Sequence, residues 1–117
     1  MGNNKYQKFA DERDRLNEIM FKYTGLESNR FLSLDNQMYR DGALPNKTKE
    51  LLGLVSSLVL RCDDCVKYHL KKCFDLGFSD KEIEEALSIG MLVGGSIVIP
   101  HLRRAFETWD EFRNNEK

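Results

Sequence analysis

At 117 residues the chain has room for one hydrophobic core but not for two, so a single domain over residues 1–117 is expected. Hydrophobic residues at 41% and charged residues at 32% make a globular composition, and a net charge of −1 gives no electrostatic pull toward nucleic acid or an anionic membrane. Neither partner is expected.

The opening "MGNNKYQKFADERDRLNEIM" has no apolar stretch of the secretory kind, so a reducing cytosol is the expected location. "MGNNKY" is close to a myristoylation site, but Tyr6 stands where Ser or Thr is required, so lipidation is discounted. Tyr6, Phe9, Ala10, Leu16, Ile19, Met20 and Tyr23 follow helical spacing and predict a first helix stopped at Gly25. A second is predicted from about Asn29 to Asp41, turning Phe31, Leu34 and Met38 inward, before the breaker stretch "DGALPN". Asn46 is placed to cap a third helix, "KTKELLGLVSSLVLR", with Leu51, Leu54, Val55, Leu58 and Val59 as its apolar face. The fourth starts near Cys62 and stops at Gly77.

Ser79 with Glu82 forms a capping box for a fifth helix, and Pro100 divides it from a last one through Ala105, Phe106, Trp109 and Phe112. The polar end "RNNEK" is expected to fray. The run "ALSIGMLVGGSIVIP", Ala86 to Pro100, is too short for a bilayer span and reads as a buried helix. Gly90 and Gly94 would let another helix approach closely, and so apolar a face on so short a chain calls for a second subunit to cover it. No period-two strand is found. The class is all-α: a small bundle of about six helices around a central antiparallel hairpin, oligomeric.

All three cysteines and one of the two histidines fall within "LRCDDCVKYHLKKC", residues 60–73. Cys62 and Cys65 are three apart and His69 four further on, so at about 3.6 residues per turn they share one helical face. A pair so spaced has Cα atoms roughly 5 to 6 Å apart, within disulfide reach. The helix start favours a thiolate, and an imidazole nearby can move the proton that thiol chemistry requires. Asp63 and Asp64 would oppose a thiolate, but at a helix start they read as cap and dipole partners facing solvent.

Zinc is the competing use of these residues. It wants four ligands, whereas one C-x-x-C and a histidine supply three. Cys73 lies roughly 12 Å along the helix from Cys65 at about 1.5 Å per residue, beyond one tetrahedral ion. His101 could complete a set, but it reads as a surface or helix-start residue, so neither metal nor cofactor is expected. Cys73 reads as a small core residue, with a resolving thiol as the alternative. Should the third and fourth helices form a hairpin turning near Arg61, Glu50 would lie level with the His69–Cys73 stretch and could orient the His69 ring.

The stretch "GALPNKTKELLGLVSSLVLRCDDCVKYHLKKCFDLGFSDKEIEEAL", Gly42 to Leu87, resembles the core of the carboxymuconolactone decarboxylase superfamily in its alkylhydroperoxidase D-like branch. The shared elements are G-x-L followed by K-x-x-E-L, Glu twelve residues before the first cysteine, C-x-x-C, His four past the second, then Gly and an acidic amphipathic helix. The resemblance implies an all-helical fold assembling as trimers or hexamers. It also implies a thiol peroxidase or disulfide oxidoreductase acting on a small peroxide or disulfide substrate, with a dithiol donor such as a lipoylated protein. By that analogy Cys65 is attacked by peroxide, Cys62 resolves it, and His69 with Glu50 relays the proton. Members with clear peroxidase activity resemble C-x-H-C; Asp64 stands at that histidine here, so the relay's efficiency and the peroxide are not carried over. The name-giving decarboxylases generally lack the cysteine pair, which makes a lactone decarboxylase the lesser reading. A binding or redox-sensing protein on the same fold is the other rival.

Overall fold

The computed structural model describes residues 5–115, and these contain six α-helices and one short 3-10 turn, with no strand. The first four residues of the discounted lipidation signal "MGNNKY" and the final two residues of the expected frayed end lie outside the described residues. The chain divides into two compact units, Met1–Ala43 and Leu44–Lys117.

The first unit holds α1 (Lys5–Tyr23) and α2 (Leu26–Met38). Neither helix has a buried residue. The second helix starts earlier than its apolar spacing suggested, because Gly25 takes an extended conformation at its N-cap. It also stops earlier: the Tyr39 and Arg40 amides turn back to the Asn36 and Gln37 carbonyls. Phe31, Leu34 and Met38 are exposed rather than turned inward.

The second unit contains α3 (Asn46–Val59), α4 (Asp63–Asp75), α5 (Asp80–Gly94), the 3-10 turn Ser96–Val98 and α6 (Ile99–Asn115). Its centre is the α3–α4 hairpin, on which α5 packs from the α3 side and α6 from the α4 side. Leu54, Leu58, Leu70, Ile83, Leu87 and Val98 are completely buried there, and this loss of apolar surface to water is what holds the four helices together. An aromatic cluster of Phe74, Trp109 and Phe112 joins α4 to α6, with Phe74 5.4 Å from Trp109 and 5.3 Å from Phe112 between ring centroids.

The helix ends follow their chemistry, with some departures from the sequence expectation. Asn46 is the first residue of α3 rather than its cap; the extended Pro45 precedes it and its carbonyl accepts from the Lys49 amide. The Ser79–Glu82 capping box forms in both directions. Gly77 ends the α4 segment with φ +88°, the left-handed stop expected. The fifth helix does not run on to Pro100. Gly95, at φ +82°, breaks it, and Pro100 sits instead in the first turn of α6, where a missing N–H costs no helical hydrogen bond. That last helix continues to Asn115, so most of the expected frayed end is helical.

The Ala86–Pro100 run is not a buried helix in this chain. Ile89, Leu92, Val93 and Ile97 are exposed, Leu92 by 79% and Val93 by 69%. Gly90 and Gly94 face the other way: a Cβ on Gly90 would stand 3.0 Å from Leu58 Cδ2 of α3, and one on Gly94 would meet Val98 of the turn, with Val59 of α3 beyond it. The close approach these glycines permit is thus to a helix of their own chain.

Candidate thiol site

The α3–α4 connection is short, and its geometry sets the cysteines. Arg61 adopts φ +61°, a left-handed conformation costly for a side chain with a Cβ. Its amide donates to the Leu58 carbonyl (2.9 Å), and the Cys62 amide to that of Ser57 (3.0 Å), closing α3 with the paired bonds of a Schellman turn. The next residue, Cys62, is the N-cap of α4: extended, with its sulfur accepting from the Cys65 amide at 3.2 Å. Cys62 and Cys65 are joined in a disulfide across a Cα separation of 5.3 Å. This pairing leaves Cys73 as a free, buried thiol.

Glu50 lies in the early part of α3 and His69 beyond the middle of α4, so an antiparallel hairpin brings them level. His69 Nδ1 is 2.8 Å from Glu50 Oε1, and the two residues are only 8% and 4% exposed. Where Glu50 is a carboxylate it can only accept, so Nδ1 is the donor and proton exchange by the ring falls to Nε2. His69 follows the exposed Cys65 by four residues on α4, one turn along the same face. The Tyr68 ring meets the His69 ring edge-on at 5.3 Å.

Cys73 is completely buried, and this burial, with the Glu50 carboxylate second, pushes its thiol up to about 12 from an ordinary 9.0. Such a thiol is inert at neutral pH, in keeping with the core residue expected.

Asp63 departs from its expected place in solvent. His101, in the first turn of α6, brings Nδ1 to 2.8 Å of Asp63 Oδ1, and Arg104 Nη1 donates to Asp63 Oδ2 at 3.1 Å. Asp64 is exposed, as expected of both. The local sequence could not reveal the Asp63 cluster, because its partners lie 38 and 41 residues away. The only local trace was the His101-x-x-Arg104 spacing on one face of a helix. His101 is therefore committed to Asp63, and among the described residues no three His, Cys, Asp or Glu side chains gather as a metal site.

No helix among the described residues is long and apolar enough to cross a membrane. Crystal structures of a Thermotoga maritima protein superpose on this chain with TM-scores of 0.91 and 0.88 at 55% identity. The first match covers 95% of this chain and 97% of that one, the second 93% and 92%. That protein is described as a carboxymuconolactone decarboxylase family protein "possibly involved in antioxidative response". A Legionella pneumophila protein of the same family superposes at TM-score 0.78 with 26% identity, covering 94% of this chain and 98% of that one. Protein 4 in the cox locus of Paracoccus denitrificans is 28% identical over 69% of this chain and 73% of its own. The carboxymuconolactone decarboxylase family model matches residues 28–108, most of the chain, and the protein belongs to that family.

Proposed function

We propose that the protein is a thiol-dependent peroxidase that reduces a small peroxide through the Cys62–Cys65 pair and is recharged by a dithiol donor. The observation that carries this reading is one arrangement: a disulfide at the first turn of α4, followed one turn later by a buried histidine whose Nδ1 is held by Glu50. The 55%-identical relative described as "possibly involved in antioxidative response" supports the same class of chemistry.

In the reduced enzyme His69 Nε2 takes the proton of Cys65. The thiolate attacks the peroxide O–O bond, forming an S–O bond and releasing an alcohol or water that collects the proton. Cys62 then attacks the sulfenic sulfur, forming the disulfide and expelling water. A dithiol donor reopens the disulfide by two exchange steps and leaves as its own disulfide, so one peroxide is reduced for each dithiol oxidised. Cys65 is the more exposed of the two sulfur-bearing residues and Cys62 the capping one, which suits Cys65 to meet a substrate. The dithiol would fit a lipoylated protein, and the working enzyme a homo-oligomer of three or six chains in the cytoplasm.

The test is steady-state consumption of an organic hydroperoxide with dihydrolipoamide as donor. Turnover is expected in the wild type and in Cys73→Ser, and is expected to vanish in Cys65→Ser and Cys62→Ser. Full activity in either of the last two, or none in the wild type with peroxide or disulfide substrates, overturns the reading.

A further inference from the structure

We propose that His101 and Arg104 are positioning residues that act on the cysteine pair through Asp63, holding and neutralising one of the two carboxylates that lie between Cys62 and Cys65. The proposal rests on the reading of that pair as a redox centre.

A carboxylate one residue beyond the helix cap is at home with the dipole of α4, but it also disfavours the thiolate that the same helix start would otherwise stabilise. Both oxygens of Asp63 are engaged from another helix, one by His101 Nδ1 at 2.8 Å and the other by Arg104 Nη1 at 3.1 Å. Because the carboxylate can only accept, His101 donates through Nδ1, and the guanidinium opposite cancels the remaining charge. Arg104 Nη1 also stands 3.4 Å from His101 Nδ1; these two donors are held together by the carboxylate they share. Asp63 and His101 have only 33% and 20% of their side-chain surface exposed, so water screens their contact less than an ordinary surface pair, while Arg104, at 54%, is the more open partner.

The same contacts bear on geometry. Arg61 sits in a strained backbone region immediately before Cys62, and such residues persist only where their surroundings hold them. From the α3 side the turn is held by the Arg61 and Cys62 amides. From the α6 side it is held by the Asp63 cluster. The redox turn is thereby fixed between two helices that are far apart in sequence.

The experiment measures iodoacetamide alkylation of the reduced protein at neutral pH in a Cys73→Ser background, with circular dichroism melts to confirm folding. Arg104→Ala and His101→Ala should slow alkylation about three- to tenfold, since each leaves the Asp63 charge less compensated. Asp63→Ala should alkylate at least as fast as the parent, Asp63→Ala with Arg104→Ala should track Asp63→Ala, and Arg104→Lys should recover part of the loss. A merely structural role would instead slow all three single alanine variants alike, and that result overturns the proposal, as does an unchanged rate in every variant. Alkylation needs no peroxide, so the predicted rates in a protein that never turns over peroxide would sink the peroxidase reading and leave the Asp63 cluster standing.

Discussion

His69 and Glu50, nineteen positions apart in sequence, meet across the hairpin with almost no exposure, a geometry that ties one nitrogen of the ring to the carboxylate. If His69 is the base for Cys65, His69→Ala should lower thiol alkylation and turnover near neutral pH by about 10² to 10⁴, the usual scale for a lost general base. High pH should restore much of the loss, because hydroxide can then form the thiolate. Glu50→Gln should cost less and in the same direction, and the double variant should fall short of the product of the two. Alkylation rates against pH for the four proteins check this, and unchanged profiles would make the pair a structural tie only. Cys73 makes a separate prediction. Its folded-state pKa is raised from 9.0 to about 12, so its contribution to stability is whole below 9.0 and is lost as pH climbs toward about 12. Urea unfolding midpoints should decline over that alkaline window, and less steeply in Cys73→Ala.

Among the elements, α4 and α5 owe their boundaries to a few residues whose removal has a calculable cost. Ser79→Ala removes the acceptor for the Glu82 amide and should destabilise by about 1 kcal/mol in thermal or urea unfolding. Gly77→Ala should cost a similar amount, about 1 kcal/mol, because the new Cβ meets no atom yet must adopt a positive φ. Gly94→Ala acts differently: its Cβ would be driven into Val98 Cγ2, a buried side chain that cannot swing into solvent. Overpacking of that kind should cost about 1 to 3 kcal/mol, and a loss no greater than an ordinary surface substitution would show that the turn yields.

At the scale of the whole molecule, α5 exposes Ile89, Leu92 and Val93 at spacings of one helical face, and the turn after it exposes Ile97. A second copy of this chain is the proposed cover, packing on the side chains of α5, since Gly90 is already used against α3 and Gly94 against Val98. Light scattering should report an oligomer at micromolar concentration, and Leu92→Asp with Val93→Asp should shift it toward monomer without loss of helical circular dichroism. A clean wild-type monomer would refute this. Acid should weaken the fold as alkali does, for another reason. The indole of Trp109 and the guanidinium of Arg113 hold the Asp80 carboxyl below its ordinary value of 3.8, and the Ser79 backbone N–H holds Glu82 below 4.5. Groups with lowered values stabilise above the unfolded value and lose that contribution as pH falls through the folded one. Unfolding midpoints should drop through the carboxylate range, and Asp80→Asn should blunt the drop.

The helical class, the α3–α4 hairpin, the capping box and the cysteine face could be read from the sequence because each depends on neighbours within a turn or two. Even Glu50 was within reach, since a hairpin about Arg61 makes its level on α3 a matter of counting residues. What stayed hidden depends on groups far apart along the chain. Asp63 looked like a solvated cap until α6 brought His101 and Arg104 against it. The Ala86–Pro100 run read as a buried helix in need of a second subunit, but which of its sides the chain itself covers stayed hidden, because apolar periodicity does not say. Phe31, Leu34 and Met38 have helical spacing but lie exposed in α2, because spacing defines a face and not what packs on it. Local propensity and capping act over a few residues and are written in order along the chain, whereas charge pairing and burial are decided by distances that exist only once the helices have packed.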